Sequence, residues 1–381
     1  MKRKAILICG ALLVPTVLYL VFAFSPLPSI SRLRQIYIET AMSTMNHQWL
    51  ADKLLPKSVV EAAVTQQRQR NLAQTGLRSL WPEKPMQPAL PITDEKSFFA
   101  VFDQLDSSQT VRWLQTKPEL PQYDWQNLRC FDTDGLGLQT KQGDPVIGID
   151  APNGILLIAV QADAASGVLA ICEYPAGLSI ASAAHPGQAG QSAGEIGQDS
   201  NAVLAMTCSA FHNANDGGNG AELAGYAMCG GTPYGDTHLP AGNKRVELWD
   251  DDLLRICDST DAVGSRCTDA AEFRPALIVD GTMTVTDDWA GLQPRVCLGQ
   301  TRNGEILMLA MEGRIPSKGV LGVTLTACAR LLLRYEGYQA INLDGGNSAM
   351  LWYDGQYLIQ CSDPDYPEGR PLPNAVVYGR S

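Results

Sequence analysis

Histidine is scarce in this chain: His47, His185, His212 and His238 are all it has among 381 residues. No two are spaced as HExxH, so the helix-borne zinc site is excluded. A Walker loop and a GxGxxG turn are missing too, and with them the common phosphate cradles of nucleotide enzymes. None of the ten cysteines forms a CxxC pair, which argues against a zinc ribbon. Basic residues are outnumbered 29 to 40, a formal net charge of −11. A surface of that sign repels nucleic acid. At long range it also repels a polyanionic wall polymer, so an anionic substrate needs a local basic pocket. The run from His212 to Gly220 has the look of a calcium loop, but the closing glutamate of such loops is absent. A glycine-rich loop lining a substrate is the better reading, and no metal-ligating residues are assigned.

What is present begins with one long apolar run. Ala5 to Phe24 is about 20 residues, enough to cross a bilayer core as a helix. Lys2, Arg3 and Lys4 precede it, which puts the N-terminus in the cytoplasm and the rest outside. A cleaved signal peptide is the alternative, but Pro26 follows the only small-residue site and the run is long for a signal. The expectation is a single-pass anchor, with the lipid bilayer as partner of residues 5–24 and an extracytoplasmic catalytic domain. Some of the nine remaining cysteines can then pair in an oxidising exterior. Cys257 with Cys267, and Cys208 with Cys229, are the first candidates.

Residues 1–25 thus read as cytoplasmic tip and anchor, and 26–80 as a helical juxtamembrane segment broken at Leu55-Pro56. Residues 81–124 read as a linker or poorly defined region, with four prolines between Trp81 and Pro91. From 125 to 381 the texture is short β-rich runs punctuated by glycine and proline. One helix stands out there, Leu325 to Tyr335, with Thr324 able to cap it and Gly337 able to end it. The fold class is α+β: a mixed-sheet catalytic domain with few helices, preceded by a transmembrane helix and the juxtamembrane segment. The strand, helix, strand unit from 305 to 343 predicts two parallel strands whose carboxyl ends share one edge, where ligands bind.

That edge carries the chemistry. Ala340 to Ala349 stops a short strand at Asp344, followed by Gly345-Gly346, whose permissive backbone lets amide N–H groups approach an anion. An Asp-Gly pair alone also makes hairpin turns. Here it sits beside Glu312, Arg314 and Arg295. Two carboxylates and two guanidiniums suit cleavage between a sugar and a phosphate. The sugar acquires oxocarbenium character, which a carboxylate stabilises or attacks, while arginine forks and N–H groups hold the departing phosphate. Asp344 is assigned as nucleophile or stabiliser, Glu312 as acid or base, and Arg295 and Arg314 as phosphate clamps.

Five segments carry a family resemblance: Phe273 to Gly281, Pro294 to Thr301, Met311 to Arg314 with Ser317 and Gly319, Asn342 to Gly346, and Gly369 to Asn374. Together they resemble bacterial phosphodiester glycosidases related to the enzyme that uncovers phosphomannosyl groups by removing N-acetylglucosamine. Thr40 to Ala51 resembles the juxtamembrane region of membrane-anchored members. The resemblance implies hydrolysis of a sugar-1-phosphodiester or envelope glycan and no redox or nucleotide cofactor. It marks Arg295, Arg314, Asp344, Gly345 and Gly346 as motif residues. Substrate-contacting positions around them are Asn342, Asn347, Ser348, Thr207, Ser209, Arg370 and Asn374. The sequence departs from the family where Thr207 replaces an usual Asn, Asn347 a Gly or Ser, and Glu312 an Asp. Those departures keep open a carbohydrate-binding envelope domain without turnover. A phosphodiesterase cutting the P–O bond is the third reading.

Overall fold

The computed structural model describes residues 2–381 except 44–47, 82–90, 122, 213–218, 236, 287–288, 290 and 380–381, with side chains from residue 13 onward. The centre of the molecule is a 10-stranded antiparallel sheet. Its main path runs Arg129–Phe131, Pro145–Asp150, Ile155–Ala162, Ala165–Cys172, Ile306–Met311, Arg295–Thr301, Gly337–Asn342, Ala276–Val279, Thr282–Met283. The strands are buried on both faces and alternate strictly between two cores, as the two-residue period of a strand requires. Leu156, Ile158, Leu169, Ile171, Leu307, Leu309 and Cys297 face a core closed by helix Leu325–Arg334. Ile155, Leu157, Val168, Ala170, Met308, Val296 and Leu298 face the opposite core, shared with two five-stranded sheets. Each such side chain contributes about 1.5–3 kcal/mol of transfer free energy.

Ile306–Met311 and Gly337–Asn342 are both antiparallel to Arg295–Thr301, and therefore parallel to each other with that strand between them. Helix Leu325–Arg334 makes the crossover, and Thr324 caps it by accepting the Ala327 N–H. Its end differs from the expected glycine stop. Glu336 takes the left-handed conformation at φ 60. Gly337 already begins the strand, and a Cβ there would lie 2.9 Å from the Leu332 carbonyl oxygen.

The proline-rich residues 82–90 lie outside the described residues, and the stretch that follows them is folded. Helices Glu95–Val101 and Ser107–Gln115, capped by Asp94 and Asp106, drive Phe98, Phe102 and Trp113 into the main core. Each cap satisfies an otherwise orphaned N–H.

The disulfide expectation is also corrected. The cysteines whose side chains are described are free. Cys257 and Cys267 lie on strands that flank Lys244–Trp249 from opposite sides, opposite Arg245 and Trp249 respectively. Two strand spacings and a four-residue offset separate their Cα atoms by roughly 16 Å, far beyond disulfide reach. Cys208 and Cys229 are likewise free, and burial raises both thiols well above their usual range.

At the N-terminus, helix Lys2–Phe24 contains Pro15 and turns into helix Pro28–Met42. Among the described residues no single helix is long and apolar enough to cross a membrane; Leu13–Phe24 and Pro28–Met42 pass together, bent by 86°. Phe22 and Ala23 pack with Ile38, Ala41, Ala51, Leu55 and Val60. Pro56 opens the next helix, Lys57–Ala73, as its fixed φ and missing donor allow.

Candidate active site

Asp344 follows the last residues of Gly337–Asn342. Its N–H is anchored to the Cys208 carbonyl at 3.0 Å, and Leu343 binds the Val296 carbonyl at 2.9 Å. Burial pushes the Asp344 carboxyl up to about 7, against the opposing effects of a Ser348 hydrogen bond, Arg370, the Gly345 N–H and Arg314. Among the described residues it makes no ion pair within salt-bridge distance. At neutral pH this acid is therefore divided between its two protonation states.

Two arginines come from the neighbouring strand ends. Arg295 opens its strand and is 8% exposed, with Nη2 donating to the Gly291 carbonyl at 2.9 Å. Arg314 sits just past Met311 in the left-handed conformation, φ 54. Its Nη1 donates to Asn347 Oδ1 at 2.9 Å and its Nη2 to the Ser43 carbonyl at 3.2 Å, while its buried Nε has no partner. Burial lowers both guanidiniums from their usual range, Arg314 to about 10, and repulsion from Arg295 adds to the shift at Arg314. Among the described residues neither forms a salt bridge. Two desolvated, mutually repelling guanidiniums beside a carboxyl make a site that gains stability when an anion enters. Arg370 stacks over Phe211 at 5.3 Å and lends a third positive charge to Asp344.

Several expected contacts are corrected. Glu312 is half-buried and its carboxylate is engaged elsewhere, accepting the Gln360 N–H at 2.9 Å, while the charges acting on Arg314 are Arg295 and Asp344. Gly346 does not present a bare amide to an anion, since its N–H bonds the Pro294 carbonyl at 2.9 Å, while the Gly345 N–H acts on the Asp344 carboxyl. They are glycines for space. A Cβ on Gly345 would lie 2.7 Å from the Pro294 carbonyl oxygen, and one on Gly346, at φ 60, 2.8 Å from Arg314 Nη1.

Thr207 is fully buried; its hydroxyl donates to the Ser348 carbonyl and accepts the Met350 N–H at 3.1 Å. These two bonds hold the Ser348 segment. Ser209 and Asn374 are buried against each other, Asn374 Nδ2 donating to Ser209 Oγ at 3.0 Å. Asn342 is likewise buried, its Nδ2 on the Arg274 carbonyl at 2.7 Å. Ser348 and Asn347 do reach the cluster, one through Asp344 and the other through Arg314. Thr207→Val is expected to lower stability by about 1–3 kcal/mol by orphaning the buried Met350 N–H, while the folded fraction keeps near-native turnover. Thermal unfolding alongside kinetics checks this; unchanged stability with lost turnover would return Thr207 to the substrate.

The string Gly190-Gln191-Ser192-Ala193-Gly194 matches GxSxG, yet it is not a nucleophile elbow. Ser192 caps helix Ala193–Asp199 in a reciprocal capping box with Glu195. His212 to Gly220 lies mostly outside the described residues, as does His47. Among the described residues no group of three His, Cys, Asp or Glu is placed to hold a metal ion.

Residues 196–378 match the model of the phosphodiester glycosidase family. No curated protein matches the sequence. The fold is shared with the zebrafish N-acetylglucosamine-1-phosphodiester alpha-N-acetylglucosaminidase catalytic domain, auto-inhibited by pro-peptide. The two are 15% identical with a TM-score of 0.50, over 60% of this chain and 82% of that one. A hypothetical protein from Synechocystis is also similar, at 15% identity and TM-score 0.45 over 63% of this chain and 65% of that one. So is an exported protein from Burkholderia pseudomallei, at 12% and 0.43 over 60% and 75%. Asp344, Arg295, Arg314, Arg370, Asn347 and Ser348 all lie in the segment that matches this family model. The helices before residue 74, and the sheet strands between 129 and 172, lie before it.

One site residue had no sequence signal. Glu39, on Pro28–Met42, is 4% exposed and accepts the Gly291 N–H at 3.2 Å beside Arg295. It stands more than 250 residues upstream of the loop it touches, so no local spacing links them.

Proposed function

We propose that the chain hydrolyses the glycosidic bond of a sugar-1-phosphodiester, with an N-acetylglucosamine-like sugar, outside the cytoplasm. The observation that carries this reading is the Asp344 carboxyl within electrostatic reach of Arg314, a buried guanidinium that forms no salt bridge among the described residues. Arg314 and Arg295 take the phosphate, and Asp344 in its ionised form stabilises or attacks the anomeric carbon as the C–O bond breaks. A phosphate leaves readily as an anion, so one carboxylate with cations is sufficient and Glu312 is not required. Membrane attachment rests on the exposed apolar side chains of Leu13, Val14, Val17, Leu18, Leu20 and Phe24, which suit lipid contact. The second reading, a glycan-binding domain without turnover, draws on the engagement of the Glu312 carboxylate by the Gln360 N–H.

Incubation with a synthetic N-acetylglucosamine-1-phosphodiester, with and without chelator, separates the readings. Free reducing sugar, released regardless of chelator, is the expected product. Sugar phosphate would mean P–O cleavage instead, and binding without release would move the assignment to the glycan-binding domain.

A further inference from the structure

The two clamp arginines do not stand on the phosphodiester glycosidase segment alone. Both hang on the loop Gly291 to Pro294, and that loop is gripped by the N-terminal helix Pro28–Met42. Glu39 accepts the Gly291 N–H through one carboxylate oxygen and is paired through the other with Arg70 of helix Lys57–Ala73. One residue on, Thr40 Oγ1 accepts the Leu292 N–H at 3.0 Å. The Gly291 carbonyl in turn receives Arg295 Nη2. On the other flank, the loop presses against the residue before Arg314: a Cβ on Gly313 would lie 2.6 Å from Pro294 N. Helix Pro28–Met42 then closes the circuit through its own C-cap, since the Ser43 carbonyl accepts from Arg314 Nη2.

The helical segment is fastened to the body beyond the site as well. Buried Lys244 donates to the Gln74 and Leu77 carbonyls, and the Gln74 side chain bonds both backbone groups of Ala276. Arg78 pairs with Asp261, and Trp81 Nε1 donates to the Leu254 carbonyl. A segment held at so many buried points is a built part of the site, since each buried bond left open would cost the desolvation of its groups.

We infer that Glu39 is a positioning residue for the arginine clamp: it fixes the Gly291 to Pro294 loop, and so sets Arg295 and Arg314 at the separation that receives a phosphate. This rests on the reading of the site as a phosphate-binding one. It assigns the helix Pro28–Met42 a role in anion recognition in addition to any attachment role. The occupant is the phosphoryl group of the substrate.

The test is a double-mutant cycle on the full chain in detergent, read as the affinity for inorganic phosphate by calorimetry. Glu39→Ala is expected to weaken phosphate about tenfold, which is ~1.4 kcal/mol. In an Arg295→Met background the same change is expected to have less than about a twofold effect, because coupled residues are not additive. Glu39→Asp, which keeps an acceptor and a charge, is expected to recover part of the loss. Equal losses in both backgrounds, or full phosphate affinity in a folded Glu39→Ala, would overturn the inference, as would a wild type that does not bind phosphate. Should Glu39→Ala fail to fold, the Thr40→Val variant, which removes the acceptor for Leu292 N–H, carries the same cycle. Turnover is scored separately: phosphate coupling without any sugar release overturns the hydrolase and leaves this inference standing.

Discussion

Asp344→Asn is expected to reduce kcat on a sugar-1-phosphodiester on the order of 10³-fold or more, the scale seen when a group acting at the reacting carbon is removed. The amide is isosteric and can still meet Ser348 and the Gly345 N–H, so the surrounding geometry is preserved. The accompanying pH dependence has a definite sign. The folded carboxyl titrates near about 7, and an unfolded Asp near about 3.9. Below both values the two states hold the same proton and nothing is gained or lost. Between them the folded state keeps a proton that the unfolded state has released, so this group's contribution to stability falls as pH rises. Above about 7 both are ionised and the full penalty remains. The wild-type kcat/KM should accordingly rise with pH through about 7 and then level, because the ionised form does the chemistry. The Asn variant should unfold at the same or a higher temperature than wild type at pH 8. A pH-rate profile and paired melting curves test both statements. Retained turnover in the folded variant would remove Asp344 from the mechanism, and a falling profile would make it a general acid.

Arg314→Gln is expected to lower kcat/KM on the phosphodiester on the order of 10²–10³-fold, the range for loss of one preorganised donor to a developing anion. The same variant should lose far less on an aryl glycoside of the same sugar, whose leaving group carries no phosphate. That contrast separates a phosphate clamp from a general role in holding the fold. Stability should change little. Arg314 leaves a buried Nε unpaired and is repelled by Arg295, so what the fold loses is the Asn347 and Ser43 contacts. Equal losses on both substrates would show that Arg314 does not act on the phosphate.

The site was legible where its chemistry is local in sequence. Asp344-Gly345-Gly346 announces an acid at a strand end, and the continuous apolar run Ile306–Met311 and the stretch Gly337–Asn342 announce two strands of the sheet behind it. The strands Lys244–Trp249, Leu254–Asp258 and Cys267–Phe273 gave no such signal. Their buried positions include Lys244, Arg245, Glu247 and Glu272, residue types that are rarely buried unless paired. They are buried because they satisfy one another: Arg245 reaches Glu247 at 2.8 Å and Glu272 at 3.7 Å, and Lys244 reaches Asp258 at 2.6 Å. Pairing across strands is what makes such burial tolerable. The same logic hid the helices at 95–115, whose short apolar stretches become core only when the large sheet supplies the other wall.

By itself the sequence determined where the central strands run, the acid that follows one of them and the arginines that open or follow its neighbours. Those follow from residue type and from periods of two and 3.6 that any local stretch displays. Only the tertiary structure decided which of these groups face the site. It turned Glu312 to a backbone N–H, engaged Thr207, Ser209, Asn342 and Asn374 in the interior, and brought Glu39 and the Ser43 carbonyl to the arginines from the far end of the chain. The physical reason is that a buried polar group must find a partner wherever the fold provides one, and such partners are set by packing across the whole chain, not by neighbours in sequence.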